Sequence, residues 1–154
     1  MIRLIKGDIL NAFDRGCNAI CHQVNCQGVM GAGLAKDISD KWPEVKEDYL
    51  DFCKGEMSEN LLGTYLATPV DEDRYVVDIF GQMNYGRDRD RVYTNYSALD
   101  SAFEKLSHDD RFDRIAFPYG FGCGLGGGDW SRVLHMMIER MSNKEIDIYI
   151  KGEK

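Results

Sequence analysis

No stretch of this 154-residue chain is apolar for long enough to cross a membrane, and the opening Met1-Ile2-Arg3-Leu4-Ile5-Lys6-Gly7-Asp8 lacks the apolar core and cleavage site of a signal peptide. A cytoplasmic protein with no membrane partner is the expectation. Positive charge is scarce too: 19 Lys and Arg stand against 26 Asp and Glu, a net charge of −7. Duplex nucleic acid is therefore excluded as the main partner, since that binding rests on Lys and Arg neutralising phosphates. An acidic chain that binds phosphate must do so locally, with backbone N–H groups and helix ends. The five cysteines, Cys17, Cys21, Cys26, Cys53 and Cys123, are odd in number and form no CxxC. Free thiols in a reducing compartment follow, not a disulfide framework. Cys17, Cys21, His22 and Cys26 cluster, yet a strand over 19–24 would send Cys21 and His22 to opposite faces, and no metal is expected. GxxxxGK[ST] is missing altogether, which removes the P-loop NTPases.

What is present reads as an ordinary globular chain, 44% hydrophobic and 29% charged, of a length that suits one domain over 1–154 and, as expected here, a monomer. Ile2-Arg3-Leu4-Ile5-Lys6 reads as a first strand closed by Gly7-Asp8-Ile9, followed by a polar connector over 10–18. Ala19 to Val24 reads as a short buried strand; Leu34, Ala35, Ile38 and Trp42 then fall at helical spacing, with Pro43 ending that helix and a second helix running to Gly55. Leu61–Val70 and Arg74–Phe80 are predicted strands joined by the turn Asp71-Glu72-Asp73, and Gly81 to Arg91 a mobile surface loop. Thr94 or Asn95 caps a helix carrying Leu99, Ala102, Phe103 and Leu106. Ile115–Pro118 is a strand, Asp129 caps a helix with Val133, Met136, Met137 and Met141 on one side, and Ile146, Ile148 and Ile150 alternate in a last strand. Interleaved strands and helices imply an α/β layer structure with a mixed or mostly parallel sheet.

Two glycine loops organise this pattern. Gly28-Val29-Met30-Gly31-Ala32-Gly33 and Gly120-Phe121-Gly122-Cys123-Gly124-Leu125-Gly126-Gly127-Gly128 each follow a strand and precede a helix, the place where open α/β sheets bind ligands. Glycine lets the backbone approach a ligand closely, and a helix start offers free N–H groups to an anion. Two such loops side by side would grip a diphosphate from both flanks. Gly122, Gly124 and Gly127 also spell GxGxxG, with Asp147 at about the offset of a ribose-binding carboxylate. Against a dinucleotide fold, only one strand–helix–strand unit is available there, and Asp147 falls inside a strand instead of at its end.

The run His22-Gln23-Val24-Asn25-Cys26-Gln27-Gly28-Val29-Met30-Gly31-Ala32-Gly33-Leu34-Ala35-Lys36, the pair Phe117-Pro118 with Gly122-Cys123-Gly124-Leu125, and the early Gly7-Asp8-Ile9 resemble a macrodomain. The chain is most similar to the ADP-ribose 1″-phosphate phosphatase branch, and also resembles the branch that removes ADP-ribose from acidic residues or nucleic acids. The resemblance runs from about Ile2 to Tyr149. It implies a three-layer α/β/α fold with a mixed, six-stranded central sheet and a cleft for ADP-ribose, with no cofactor. The partner it implies is the small molecule ADP-ribose or ADP-ribose 1″-phosphate, or an ADP-ribosylated macromolecule. Carried over by position, Asp8 accepts the adenine amino group with the Ile9 backbone beside it, and Tyr149 packs on the adenine. Gly31, Ala32 and Gly33 line the first phosphate loop; Gly122, Cys123, Gly124 and Leu125 belong to the second; Phe121 lies against the distal ribose. Read without the resemblance, Asp8 is a turn or cap residue and Tyr149 a strand residue.

Hydrolysis at the distal ribose needs a group that positions or activates water, or one that attacks. His22 matches a histidine of the phosphatase branch, and His108 and His135 lie outside every motif. Read alone, a strand histidine is a satisfied core residue. Asn25 and Gln27 offer neutral donors and acceptors to ribose hydroxyls, or hold the loop's own backbone. The chain departs from the nucleic-acid and glutamate-directed branch at two places. That branch has a lysine after the strand ending here at Phe80 and an aspartate just after GCGL, where this chain has Gly81-Gln82 and Gly126. His22, Asn25 and Gln82 are the expected catalytic set, with Gln82 orienting a water or a phosphate oxygen.

Overall fold

Apolar runs alternating with amphipathic ones give alternating strands and helices, and the computed structural model, which describes residues 1–151, has them in this order. The strand β1 (Ile2–Lys6) leads into a 3₁₀ helix (Ile9–Arg15) and then β2 (Ala19–Asn25). Three helices follow, α1 (Gly33–Lys41), α2 (Pro43–Gly55) and the single turn α3 (Ser58–Leu61), then the strands β3 (Tyr65–Asp71) and β4 (Arg74–Gln82). The chain continues through α4 (Tyr96–Ser107), β5 (Arg114–Pro118), α5 (Trp130–Arg140) and β6 (Glu145–Ile150). Residues 152–154 of the domain expected over 1–154 lie outside the described residues.

The six strands form one sheet in the order β1-β6-β5-β2-β4-β3. Every neighbouring pair is parallel except β3 with β4, which a tight turn joins as an antiparallel hairpin. Parallel strands must be covered on both faces. Cys21, Val77, Ile79, Ile115, Phe117, Ile146 and Ile148 pack against Leu99, Phe103, Val133 and Met137 of α4 and α5. On the other face, Ile20, Val76, Ala116 and Tyr149 meet Ile9, Phe13, Ile38 and Val45 of the 3₁₀ helix, α1 and α2. Val24 and Phe80 pack with Tyr49 and Leu61 beside them. The fold is the expected α/β/α sandwich on a mixed six-stranded sheet.

Three segments differ from the sequence reading. The polar connector over 10–18 is mostly helical: the Asp8 carboxylate caps it by accepting the Leu10 N–H at 2.9 Å, and Gly16, at φ 99°, ends it. Its buried Ile9, Ala12 and Phe13 supply the missing apolar face. The strand placed over 61–70 begins only at Tyr65, because Leu61 closes α3 and Gly63 turns the chain at φ 85°. β4 runs on through Gly81 to Gln82, so the following loop starts two residues later than expected.

The five mutually parallel strands share one direction, so the segments after β1, β2, β4, β5 and β6 all emerge at one edge of the sheet. Asp8, both glycine loops, the loop after Gln82 and Tyr149 therefore meet at the carboxyl ends of the strands.

Candidate functional site

The first glycine loop is held open by its own asparagine. Asn25 Oδ1 accepts the N–H groups of Gln27 at 3.0 Å and Val29 at 3.4 Å, and its Nδ2 donates to the Val29 carbonyl at 2.7 Å. The Tyr49 hydroxyl, from α2, lies 2.9 Å from the same Oδ1. Gln27 Nε2 donates outward to the Met83 carbonyl at 3.1 Å, strapping this loop to the one after β4. The chain then enters α1 through Ala32, whose methyl group cannot cap, and Gly33 at φ 58°. The first N–H groups of α1 thus stay free, with the positive end of the helix dipole behind them.

The second loop works differently. Phe121 N–H donates to Pro118 O, Cys123 N–H to Gly120 O and Gly128 N–H to Gly122 O, at 3.1, 2.8 and 3.0 Å. Gly120 and Gly122, at φ 77° and 75°, alternate with Phe121 and Cys123, and the loop borders the cavity through Gly120, Phe121, Gly122, Gly124, Leu125 and Gly126. The helix behind is capped by Asp129, as expected from the sequence. Asp129 Oδ1 accepts the Ser131 N–H at 3.0 Å, and the Ser131 bonds hold the Asp129 carboxyl below its ordinary value.

Between the loops lies a cavity of about 580 Å³. Of the residues singled out from sequence, His22, Asn25, Gly31, Ala32, Gly33, Gln82, Phe121, Gly122, Gly124 and Leu125 line it. Asp8, Ile9, Gln27, Cys123 and Tyr149 do not. Asp8 is engaged as the 3₁₀ cap, and Ile9 is buried beneath it. Cys123 sets its Sγ 3.3 Å from Phe121 O, and burial, aided by the Asp129 charge, pushes its thiol up to about 11. Tyr149 is buried, and its carbonyl accepts the Tyr119 N–H at 2.9 Å. The ring of Phe121, although it borders the cavity, packs into the core against Phe103 and Phe117.

At the floor, His22 Nε2 lies 2.5 Å from Asp78 Oδ1, directly across the β2–β4 register. Both side chains are buried, 2% and 0% exposed, and His22 Nδ1 has no protein partner. Burial pushes the Asp78 carboxyl above its ordinary value, and His22 opposes that rise. Cys21 points to the opposite face of the sheet, and Cys17 donates to Asp147 Oδ2 at 3.4 Å. Among the described residues no group of three or more His, Cys, Asp or Glu side chains is arranged to hold a metal ion. Asp147 is taken up by Arg3 and Arg114 of the two neighbouring strands, at 3.0 and 3.4 Å, which leaves it no part in ribose recognition.

Beside the floor sits a polar knot that the sequence did not suggest. Gln23 Nε2 donates to Gln82 Oε1 at 2.7 Å and to Thr94 Oγ1 at 2.9 Å, while Thr94 Oγ1 donates to Gly122 O at 2.6 Å. The knot explains both glycines at the departures noted above. A Cβ at position 126 would stand 2.5 Å from Thr94 Oγ1 and 2.8 Å from the Gly122 carbonyl, and one at position 81 would collide with Gln23 and Leu99. Side chains are excluded from both positions unless the knot is undone.

The cavity wall includes four residues that sequence reasoning missed: Gln23, Tyr85, Arg87 and Tyr119. Each lies in or just after a parallel strand at its carboxyl end, which is the signal that would have found them. Among the described residues the only ionisable side chains lining the cavity are His22, Tyr85, Arg87 and Tyr119. A wall of amides and one arginine, with no carboxylate, suits an anionic ligand.

The family model described as Macro domain matches residues 21–137. The chain is 25% identical over 139 residues to a protein of Mycobacterium tuberculosis named DNA ADP-ribosyl glycohydrolase, covering 90% of this chain and 38% of that one. It is 23% identical to the ADP-ribose 1″-phosphate phosphatase of Candida albicans, covering 97% and 99% of the two chains. The chain spans about two fifths of the length of the DNA ADP-ribosyl glycohydrolases that it matches. The structure of Thermosipho africanus DarTG in complex with ADP-ribose superposes with a TM-score of 0.77 at 24% identity, over 99% of this chain and 42% of that one.

Proposed function

This chain belongs to the Macro domain family, and from that membership we propose that it is an ADP-ribose-binding hydrolase whose substrate is ADP-ribose 1″-phosphate. The observation that carries the reading is the pair of glycine loops on either side of a cavity that no carboxylate of the described residues lines. A diphosphate set between them meets the open start of α1 on one side and the backbone of Gly122, Gly124 and Gly126 on the other. Such donors are fixed before the ligand arrives, so they lose little on binding and can stabilise charge that develops during reaction.

In this reading water adds to phosphorus, the bond from phosphorus to the 1″ oxygen breaks, and that oxygen takes up a proton as ADP-ribose leaves. Among the described residues His22 is the one histidine bordering the cavity and is assigned the proton transfer; Nε2 is held by Asp78, and Nδ1, the ring nitrogen left for the transfer, is buried without a protein partner. Gln82, with its Oε1 engaged by Gln23 and its Nε2 by the Asn84 carbonyl, shapes the wall beside the reacting phosphate. Asn25 holds the first loop in its receptive form. Asp8 lies outside the cavity wall; one of its carboxylate oxygens caps the 3₁₀ helix, and the second is left for the adenine amino group.

Removal of ADP-ribose from a macromolecule fits less well. The lysine and aspartate that the resemblance implies for that reaction would fall at positions 81–82 and 126, and the knot of Gln23 and Thr94 leaves no space for a side chain at 81 or 126. Incubation with ADP-ribose 1″-phosphate should release one equivalent of inorganic phosphate and yield ADP-ribose. Release of ADP-ribose from an ADP-ribosylated oligonucleotide or protein, without phosphate release from the small molecule, would assign the macromolecular reaction instead. No turnover of any of these substrates, with ADP-ribose still bound, would leave a binding module.

A further inference from the structure

Among the described residues the cavity wall holds a single cation, Arg87, and nothing in the diphosphate scheme uses it. Its loop follows β4, one strand over from the first glycine loop, so it stands at the end of the cavity beside Gln82. The loop is built around Tyr93. Gly86 lies so close under the Tyr93 ring that a Cβ there would run into the hydroxyl, and the Arg91 guanidinium sits 5.1 Å above the ring. Asp88 is spent within the loop, its Oδ1 accepting the Asp90 N–H at 3.0 Å and its carbonyl the Arg91 N–H at 3.2 Å. Tyr93 and Thr94 in turn donate their N–H groups to Gly126 O at 2.8 and 3.0 Å, which ties this loop to the second glycine loop. Among the described residues no carboxylate pairs with Arg87.

Arg87 is exposed at the cavity wall and pairs with no carboxylate among the described residues, so in a chain of net charge −7 its guanidinium is left free to meet an anion in the cavity. The diphosphate already has two rows of backbone amides. We propose that Arg87 forms a second anion subsite, beyond the diphosphate, which takes a phosphate monoester on the distal ribose and so sets the preference for phosphorylated over unphosphorylated ADP-ribose. The planar fork of its donors matches two phosphate oxygens at once, which a neutral side chain cannot do. This assignment rests on the cavity being the ADP-ribose site.

Calorimetry with two ligands, ADP-ribose and its analogue carrying a non-hydrolysable phosphonate at the 1″ position, tests it. The unaltered protein should bind the phosphonate more tightly. Arg87→Gln should weaken the phosphonate by about 10- to 100-fold, the scale of a charged hydrogen-bonded pair, and ADP-ribose by less than about twofold. Arg87→Lys should restore part of the loss. Arg89→Gln, in the same loop but outside the cavity wall, should change neither ligand. Equal weakening of both ligands by Arg87→Gln, no weakening of either, or the same loss from Arg89→Gln would overturn the proposal. Absence of ADP-ribose binding by the unaltered protein would instead overturn the reading of the cavity itself.

Discussion

Replacing His22 by alanine is expected to lower phosphate release from ADP-ribose 1″-phosphate by about 10²–10⁴-fold, the usual range for losing one acid–base group. The expectation follows from elimination within the cavity wall as well as from position. Tyr85 and Tyr119 are exposed at the rim, Arg87 does not release a proton, and among the described residues no Asp, Glu, Lys or Cys side chain lines the space. ADP-ribose affinity should change by less than about tenfold, because ground-state binding is spread over both loops. Gln82→Ala is the informative companion, since both ends of the Gln82 amide are already engaged inside the protein. If Gln82→Ala abolishes turnover and His22→Ala leaves it intact, the polar edge after β4 performs the chemistry. Initial-rate measurements on the two purified variants decide between them.

Asp78→Ala is expected to destabilise the protein by about 3–5 kcal/mol, as removing one partner of a buried, hydrogen-bonded ionisable pair does. Asp78 is wholly buried, and its Oδ1 holds His22 Nε2 across the joint between β2 and β4 in the middle of the sheet. Deleting the carboxyl leaves a buried imidazole nitrogen without a partner and opens a small void between strands. Asp78→Asn keeps an acceptor of the same shape and should lose less than half as much. Urea unfolding, with the midpoint and slope both recorded, separates loss of stability from a change in the denatured state. Equal midpoints for Asp78→Ala and the unaltered protein would mean that the pair contributes nothing to the fold.

The sheet was legible because its central strands β2, β4 and β5 are mostly apolar, β6 alternates, and turn residues separate them. Asn95 and Asp129 were readable as caps from their places before amphipathic runs, and each accepts a backbone N–H within the first turn. The 3₁₀ helix was not readable. Ile9, Ala12 and Phe13 form only a single apolar turn among Asn, Asp and Arg residues, too short for a periodic signal. The two glycine loops announced themselves through composition, and the residues that shape what lies between them did not. Gln23 was invisible as a functional residue because its meaning depends on Gln82, 59 positions away, and Thr94, 71 positions away. Arg87 was hidden in an alternating run of charges that reads as a solvated surface, and only the shared edge of the parallel strands brings it to the cavity. Asp8 shows the reverse limit: the cap role was foreseeable from a Gly-Asp turn, and the structure has that contact in place.

The most direct test of the whole account is a calorimetric comparison of ADP-ribose with AMP. ADP-ribose should bind with micromolar affinity, on the order of −8 kcal/mol, because both glycine loops grip its diphosphate and the cavity beyond them receives the distal ribose. AMP should bind far more weakly, since it carries a single phosphate and reaches only part of that space. Equal affinity for the two ligands would contradict a site built on both loops.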